Sequence, residues 1–204
     1  MTPIEDMRAL VRRDLKDENP SAYRWTDDEV DRAIGRAVLE YSQYVPRYQK
    51  DALNTVSGQD YVDIATLTNR VRVYRVEFPI GNVPRSHQPF RVYMNHLIFM
   101  GDDVGNGNQC HVEWGKVHTI DASVNTVDAQ HYHTIALGAA AYAVLAISQY
   151  TIDRSNIGGE DVDMDYLDWG NAMLNRFHKE LARIARRLGD KRMISGEIYY
   201  KEGA

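Results

Sequence analysis

The sequence holds a single cysteine, Cys110, so no disulfide closes within it and no thiolate cluster binds a metal, a usage that fits a reducing cytosol. It has no long apolar run. The most apolar stretch, Ile135 to Ile147, is rich in alanine and shorter than the roughly 20 residues that cross a bilayer, so no membrane partner is expected. Met1-Thr2-Pro3-Ile4-Glu5-Asp6 carries acids where an export signal needs bases and then apolar residues, and none is expected. Positive charge is not in excess either: the net charge is -5, contrary to a dedicated nucleic-acid binder.

The chemical signatures are equally thin. No serine sits in a Gly-x-Ser-x-Gly setting, and Cys110 alternates with Val112 and Trp114 as a core residue would. Gly101-Asp102-Asp103-Val104-Gly105-Asn106-Gly107 lacks the Lys-Ser or Lys-Thr of a phosphate loop and leads into a strand, so Gly101 to Asn108 reads as a mobile polar loop. Asp161-x-Asp163-x-Asp165 opens like a calcium loop, but Tyr166 stands where glycine is required and Ala172 where glutamate is required. His111, His118, His131 and His133 lie close in sequence without metal-ligand spacing. With no nucleophile, base and oxyanion donor together, the expectation is a non-enzyme without a cofactor.

What is present is helical organisation. At 44% hydrophobic and 26% charged residues, the chain has the composition of one soluble folded domain. Thr26 and Glu29 form a capping box, with Trp25 and Val30 as the staple around it; Val30, Ile34, Ala37 and Tyr41 continue at helical spacing until Pro46. A first helix over 2–16, with Thr2 and Glu5 as its box, carries Ile4, Met7, Val11 and Leu15 on one face and pairs with the second as a hairpin. A third helix over 128–152 is narrow and therefore central. A fourth over 162–188 presents Leu167, Gly170, Leu174, Phe177, Leu181, Ile184 and Leu188 as a seam.

Between the helical parts, about 61–115, the period becomes two. Val71 and Val73 lie out of register with Val76 and Phe78, which predicts a bulge near Tyr74, and Asn95-His96 is placed at a tight turn. The fold class is thus α+β, mainly α: an antiparallel helical bundle with an inserted small antiparallel β-sheet, one domain over 1–188 and an arm over 189–204. Charge is polarised along the fourth helix. Glu160, Asp161, Asp163, Asp165 and Asp168 crowd its start, and Arg176, Lys179, Arg183, Arg186, Arg187, Lys191 and Arg192 its end, opposing the helix dipole.

Three segments in order carry a resemblance: the capped Arg24-Trp25-Thr26-Asp27-Asp28-Glu29, the Trp114-Gly115-Lys116-Val117-His118-Thr119-Ile120-Asp121 junction, and Asn156-Ile157-Gly158-Gly159 leading to Tyr166-Leu167-Asp168-Trp169-Gly170-Asn171. Over roughly residues 5 to 188 the chain resembles the head-to-tail adaptor (connector, or neck) proteins of tailed bacteriophages, with a strand region larger than in their smallest members. The resemblance implies a virion structural protein, assembled in the bacterial host cytoplasm into a homo-oligomeric ring of about twelve copies, a dodecamer. Such a ring lies in the virion neck between the portal protein and a stopper or tail-completion protein, and extends the channel through which DNA passes with transient, non-specific contact.

It also implies that the C-terminal region engages the portal, which points to Met193, Ile194, Ile198, Tyr199 and Tyr200. Glu160, Asp161, Asp163 and Asp165 are candidates for an acidic channel wall that DNA does not adhere to, and Trp25, Thr26, Glu29, Trp114 and Trp169 for core and cap positions. The alternatives are a metal-dependent hydrolase built on the histidines and a DNA-binding module built on the basic C-terminal helix.

Overall fold

The computed structural model describes residues 2–101, 105–152 and 162–194, with side chains described except at 149–152, 162–165 and 190–194. The fold is α+β and mainly α, as expected. It divides into two compact units where one domain was expected: Met1–Val45 with His118–Ala204, and Pro46–Val117. Among the described residues no helix is long and apolar enough to cross a membrane.

The first unit is a helical bundle: α1 (Pro3–Leu15), α2 (Asp27–Tyr44), a short 3-10 turn (Ala129–His131), α3 (Tyr132–Ile152) and α4 (Val162–Ile194). Helix α1 begins where Glu5 Oε2 accepts the Thr2 amide at 2.7 Å, and Met7, Val11 and Leu15 are buried beneath it. The stripe of α2 is buried as predicted, with Val30, Ile34, Ala37 and Tyr41 all in the core. Helices α1, α2 and α4 all pack on α3, which is therefore central.

Small residues make that possible. A Cβ on Gly138 would stand 2.7 Å from the Phe177 ring of α4, and one on Gly170 2.8 Å from Leu145, closer than real Cβ contacts come. Phe177 is fully buried because α3 offers it a notch. The seam on α4 differs from expectation at both ends. Leu167 is exposed, while Tyr166 and Trp169 pack against the core in its place, and the helix continues past Leu188 to Ile194. The arm expected from residue 189 thus begins as helix: the basic last turns lie at a C-terminus where their charge favours continuation.

The second unit holds two three-stranded antiparallel sheets. The first has the order β1 (Arg47–Asn54), β6 (Gln109–Lys116), β3 (Arg70–Glu77), and the second β2 (Tyr61–Asp63), β5 (His96–Phe99), β4 (Phe90–Tyr93). The strands begin at Arg47, not near residue 61. Strand β1 is an edge strand exposed at six of its eight positions, so it has no apolar alternation to betray it. The predicted bulge at Tyr74 is present, and a second register shift occurs at Val71.

Cys110, Val112 and Trp114 face the interior of this unit with Val62, Ile64, Val76, Leu97 and Phe99. The β4–β5 turn consists of Met94 and Asn95, one residue earlier than expected, and Met94 takes the positive φ of 52°. The described part of the Gly101 to Asn108 loop is hydrogen-bonded to the segment that follows β1. The Gly105 amide donates to Gln59 O at 2.7 Å, and a Cβ there would stand 2.3 Å from Val56 O, so only glycine fits.

Candidate functional site

Described residues of the first unit that stood out in the sequence, Arg24, Trp25, His118 and Tyr166, lie at the two ends of α2. At its head Thr26 Oγ1 accepts the Glu29 amide at 3.3 Å and Glu29 Oε2 accepts the Thr26 amide at 2.8 Å. The amide bond from Thr26 holds the Glu29 carboxyl below the usual carboxylate range. Trp25 is buried and its Nε1 donates to Ala143 O of α3 at 3.2 Å. Arg24 donates to the Tyr166 hydroxyl of α4, and its guanidinium lies 4.6 Å over the Tyr166 ring.

Below this lies a cluster that periodicity does not foresee. Arg12 is 5% exposed on the apolar side of α1 and donates to Asp17 at 2.8 Å, to Trp25 O at 3.1 Å and to Asp27 at 2.7 Å. Asp17, 6% exposed, also accepts the amides of Arg24 and Trp25 at 2.8 and 3.3 Å. Its lone pairs are filled by the loop that leads into α2, so the buried charge is both paired and hydrogen-bonded. Nearby Arg8 grips Asp31 with two bonds, at 2.6 and 2.5 Å. The available signal was Arg12 adjoining Val11 in a buried stripe, with acids at Asp17 and Asp27; helical spacing alone assigns such a residue to solvent.

At the tail of α2, His118 is buried between backbone carbonyls. Its Nδ1 lies 2.8 Å from Thr126 O and its Nε2 3.0 Å from Val45 O, while its amide donates to Ser42 Oγ at 2.9 Å. Tyr41 Oη meets His131 Nδ1 at 2.8 Å. Burial lowers the His131 pKa and raises that of Tyr41, so a neutral imidazole accepts from a phenol that keeps its proton. His111 faces Glu77 at 3.3 Å in the other unit. Each of these three rings is thus held by its own neighbours, and among the described residues no three His, Cys, Asp or Glu side chains converge as metal ligands would.

Hollows and thiols add little chemistry. Burial pushes the Cys110 thiol up to about 11, far from the thiolate range at neutral pH. A groove of about 420 Å³ between α2 and α3 has Trp25, Ala33 and Ala143 in its floor and Arg32, Arg36 and Glu29 at its rim. Its acid is committed to the cap, and its phenol, Tyr142, is pushed up to about 12 chiefly by burial. A cleft of about 380 Å³ lies beside His131, Arg183 and Arg187.

The other expected site residues divide by position. Arg176, Lys179, Arg183, Arg186 and Arg187 form an exposed basic stripe on α4, where Arg183 bonds Glu180 at 2.9 Å. Trp114 is buried and its Nε1 donates to Asp51 at 2.6 Å; Trp169 is partly buried and tilts 6.2 Å from Tyr166. Asp163, Asp165, Met193 and Ile194 belong to α4 by their backbone, but their side chains lie outside those described. Glu160, Asp161, Ile198, Tyr199, Tyr200 and the Asn156 to Gly159 segment lie outside the described residues altogether. Compared with known proteins, the chain matches no family model and no curated sequence.

Proposed function

We propose that this protein is a structural component of a tailed-phage virion: an adaptor whose copies form a ring between the portal and the stopper or tail, extending the DNA channel. The observation that supports the reading is that one residue from each of the three distinctive segments takes part in the joints at the ends of α2. Arg24 at its head holds Tyr166 of α4, and His118 binds Val45 O and the Ser42 hydroxyl at its tail. Arg24, Trp25, His118 and Tyr166, the described residues of these segments that carry the bonds, act as joints between helices. A closed ring needs two different faces on each subunit, and the exposed basic stripe of α4 is one polar candidate for such a face.

The test is to mix purified protein with its portal and image the product by electron microscopy. Annular particles on the portal are expected, and a chain ending at Lys191 is expected not to form them. Absence of any ring sinks the adaptor reading. Normal decoration by the shortened chain sinks only the assignment of Met193, Ile194, Ile198, Tyr199 and Tyr200 to the portal contact.

A further inference from the structure

We propose that the free edge of β4 is a strand-addition site for an extended, acidic segment of a partner protein. Among the described residues strand β4 is paired only with β5, so one side of its backbone has no strand beside it. The two-residue turn makes Tyr93 and His96 the closing hydrogen-bonded pair. Bonding then alternates along the ladder, so Phe90 and Val92 direct their N–H and C=O groups outward, away from β5. Natural edges are blunted by shortness, charge, bulges or proline. Strand β4 is four residues long, carries Arg91 and follows Pro89, but it holds no lysine, proline or bulge of its own and its register to β5 is regular.

The side chains around this edge are those of an interface. Val92 is exposed, Tyr93 is 63% exposed and Met94 75%. Met94 is the sharper sign. It holds φ at 52°, in the left-handed region that favours glycine, while its long apolar side chain stands in water. Nothing in the fold rewards a methionine there; a partner's apolar surface would.

Charge selects the partner. From Phe78 to Gly101 the sequence has no Asp or Glu, in a chain whose net charge is -5, and β4 itself carries Arg91, whereas Arg85 and His87 lie toward Glu77 of the first sheet. Within the three strands of this sheet the one acid is Asp63 on β2, separated from β4 by β5, and its Oδ1 accepts the Ala65 amide at 2.8 Å. A single arginine among exposed valine, tyrosine and methionine is too sparse a positive field for a nucleic acid, whose binding grows with the number of phosphates neutralised. It suits a strand with alternating carboxylates and apolar residues, which gains main-chain bonds from the edge and specificity from Arg91. This proposal stands independently of the virion reading.

The experiment uses the full chain and three fluorescent probes: a short peptide alternating glutamate with valine, its lysine–valine counterpart, and an oligothymidylate. The glutamate peptide is expected to bind at least about tenfold tighter than the lysine peptide. Val92→Pro removes one outward amide without touching the β5 ladder and is expected to abolish binding, whereas Val92→Thr retains it. Arg91→Glu is expected to reverse the peptide preference, a readout that holds even where the proline variant unfolds. Equal binding of the two peptides, or no binding, overturns the proposal. So does tighter, steeply salt-dependent binding of the oligothymidylate, or dimerisation of the chain that Val92→Pro abolishes.

Discussion

Arg12 donates to Asp17 at 2.8 Å with both side chains buried, which makes the loop between α1 and α2 depend on an ion pair where water is excluded. Removing Asp17 takes one of the three acceptors of the buried Arg12 and leaves the Arg24 and Trp25 amides without theirs. Asp17→Ala is expected to cost about 3–5 kcal/mol, a large share of a typical domain's stability. Arg12→Met combined with Asp17→Asn is expected to cost less than the sum of the single changes, by at least about 1 kcal/mol. Urea titrations of the wild type, Asp17→Ala, Arg12→Met, Asp17→Asn and the double variant measure this, and strict additivity of the last three would show that the pair is not coupled.

Two glycines in the bundle should respond oppositely to the same substitution. Gly35 is exposed within α2, and nothing lies within 4 Å of the point where a Cβ would stand, so Gly35→Ala is expected to stabilise by about 0.5–1 kcal/mol. At Gly138 the same helix gain is opposed by the Phe177 ring at 2.7 Å. Overpacking costs about 1–3 kcal/mol, and the net change is expected to be destabilising. Thermal melts that rise for both variants would refute the notch.

The β4–β5 turn offers a third test. A left-handed conformation costs a side-chain-bearing residue about 1–2 kcal/mol, and part of the relief in a glycine variant is offset by entropy of the unfolded chain. Met94→Gly is therefore expected to stabilise by about 0.5 kcal/mol while weakening capture of the glutamate–valine peptide. A variant that is less stable and binds as before would remove the case for strain at this tip.

Acid should loosen the head of α2. The Asp27 carboxyl is held low by its bond from Arg12, and that of Glu29 by the Thr26 amide. A carboxylate depressed in the folded state stabilises fully above its unfolded pKa and loses that contribution as pH falls through the folded value. Stability is expected to decline from about pH 5 downward, and Glu29→Gln to show a shallower decline over that window. Parallel pH profiles for the two proteins would deny the cap this role.

What the sequence revealed follows from what periodicity encodes. The stripes of α1 and α2, the central alanine helix and the bulge at Tyr74 were legible because each imposes a spacing on apolar residues. Strand β1 was not, since an edge strand with two solvent-facing sides leaves no such record. The Arg12–Asp17 pair escaped for a related reason: burial of a charge depends on three partners beyond the reach of one helix, Asp17, Trp25 and Asp27, and helical periodicity does not anticipate it. The end of α4 was misplaced because apolar repetition stops at Leu188 while the backbone continues without it.

Helix α3, enclosed by three other helices, has an evolutionary consequence. Ala136, Ala139, Ala140 and Ala141 are wholly enclosed, and each is already near the smallest side chain that still favours a helix. Neither growth nor shrinkage is open to them. In a saturation mutagenesis experiment this stretch should be the most depleted of variants, while the outward rim of β4 drifts freely unless a ligand restrains it.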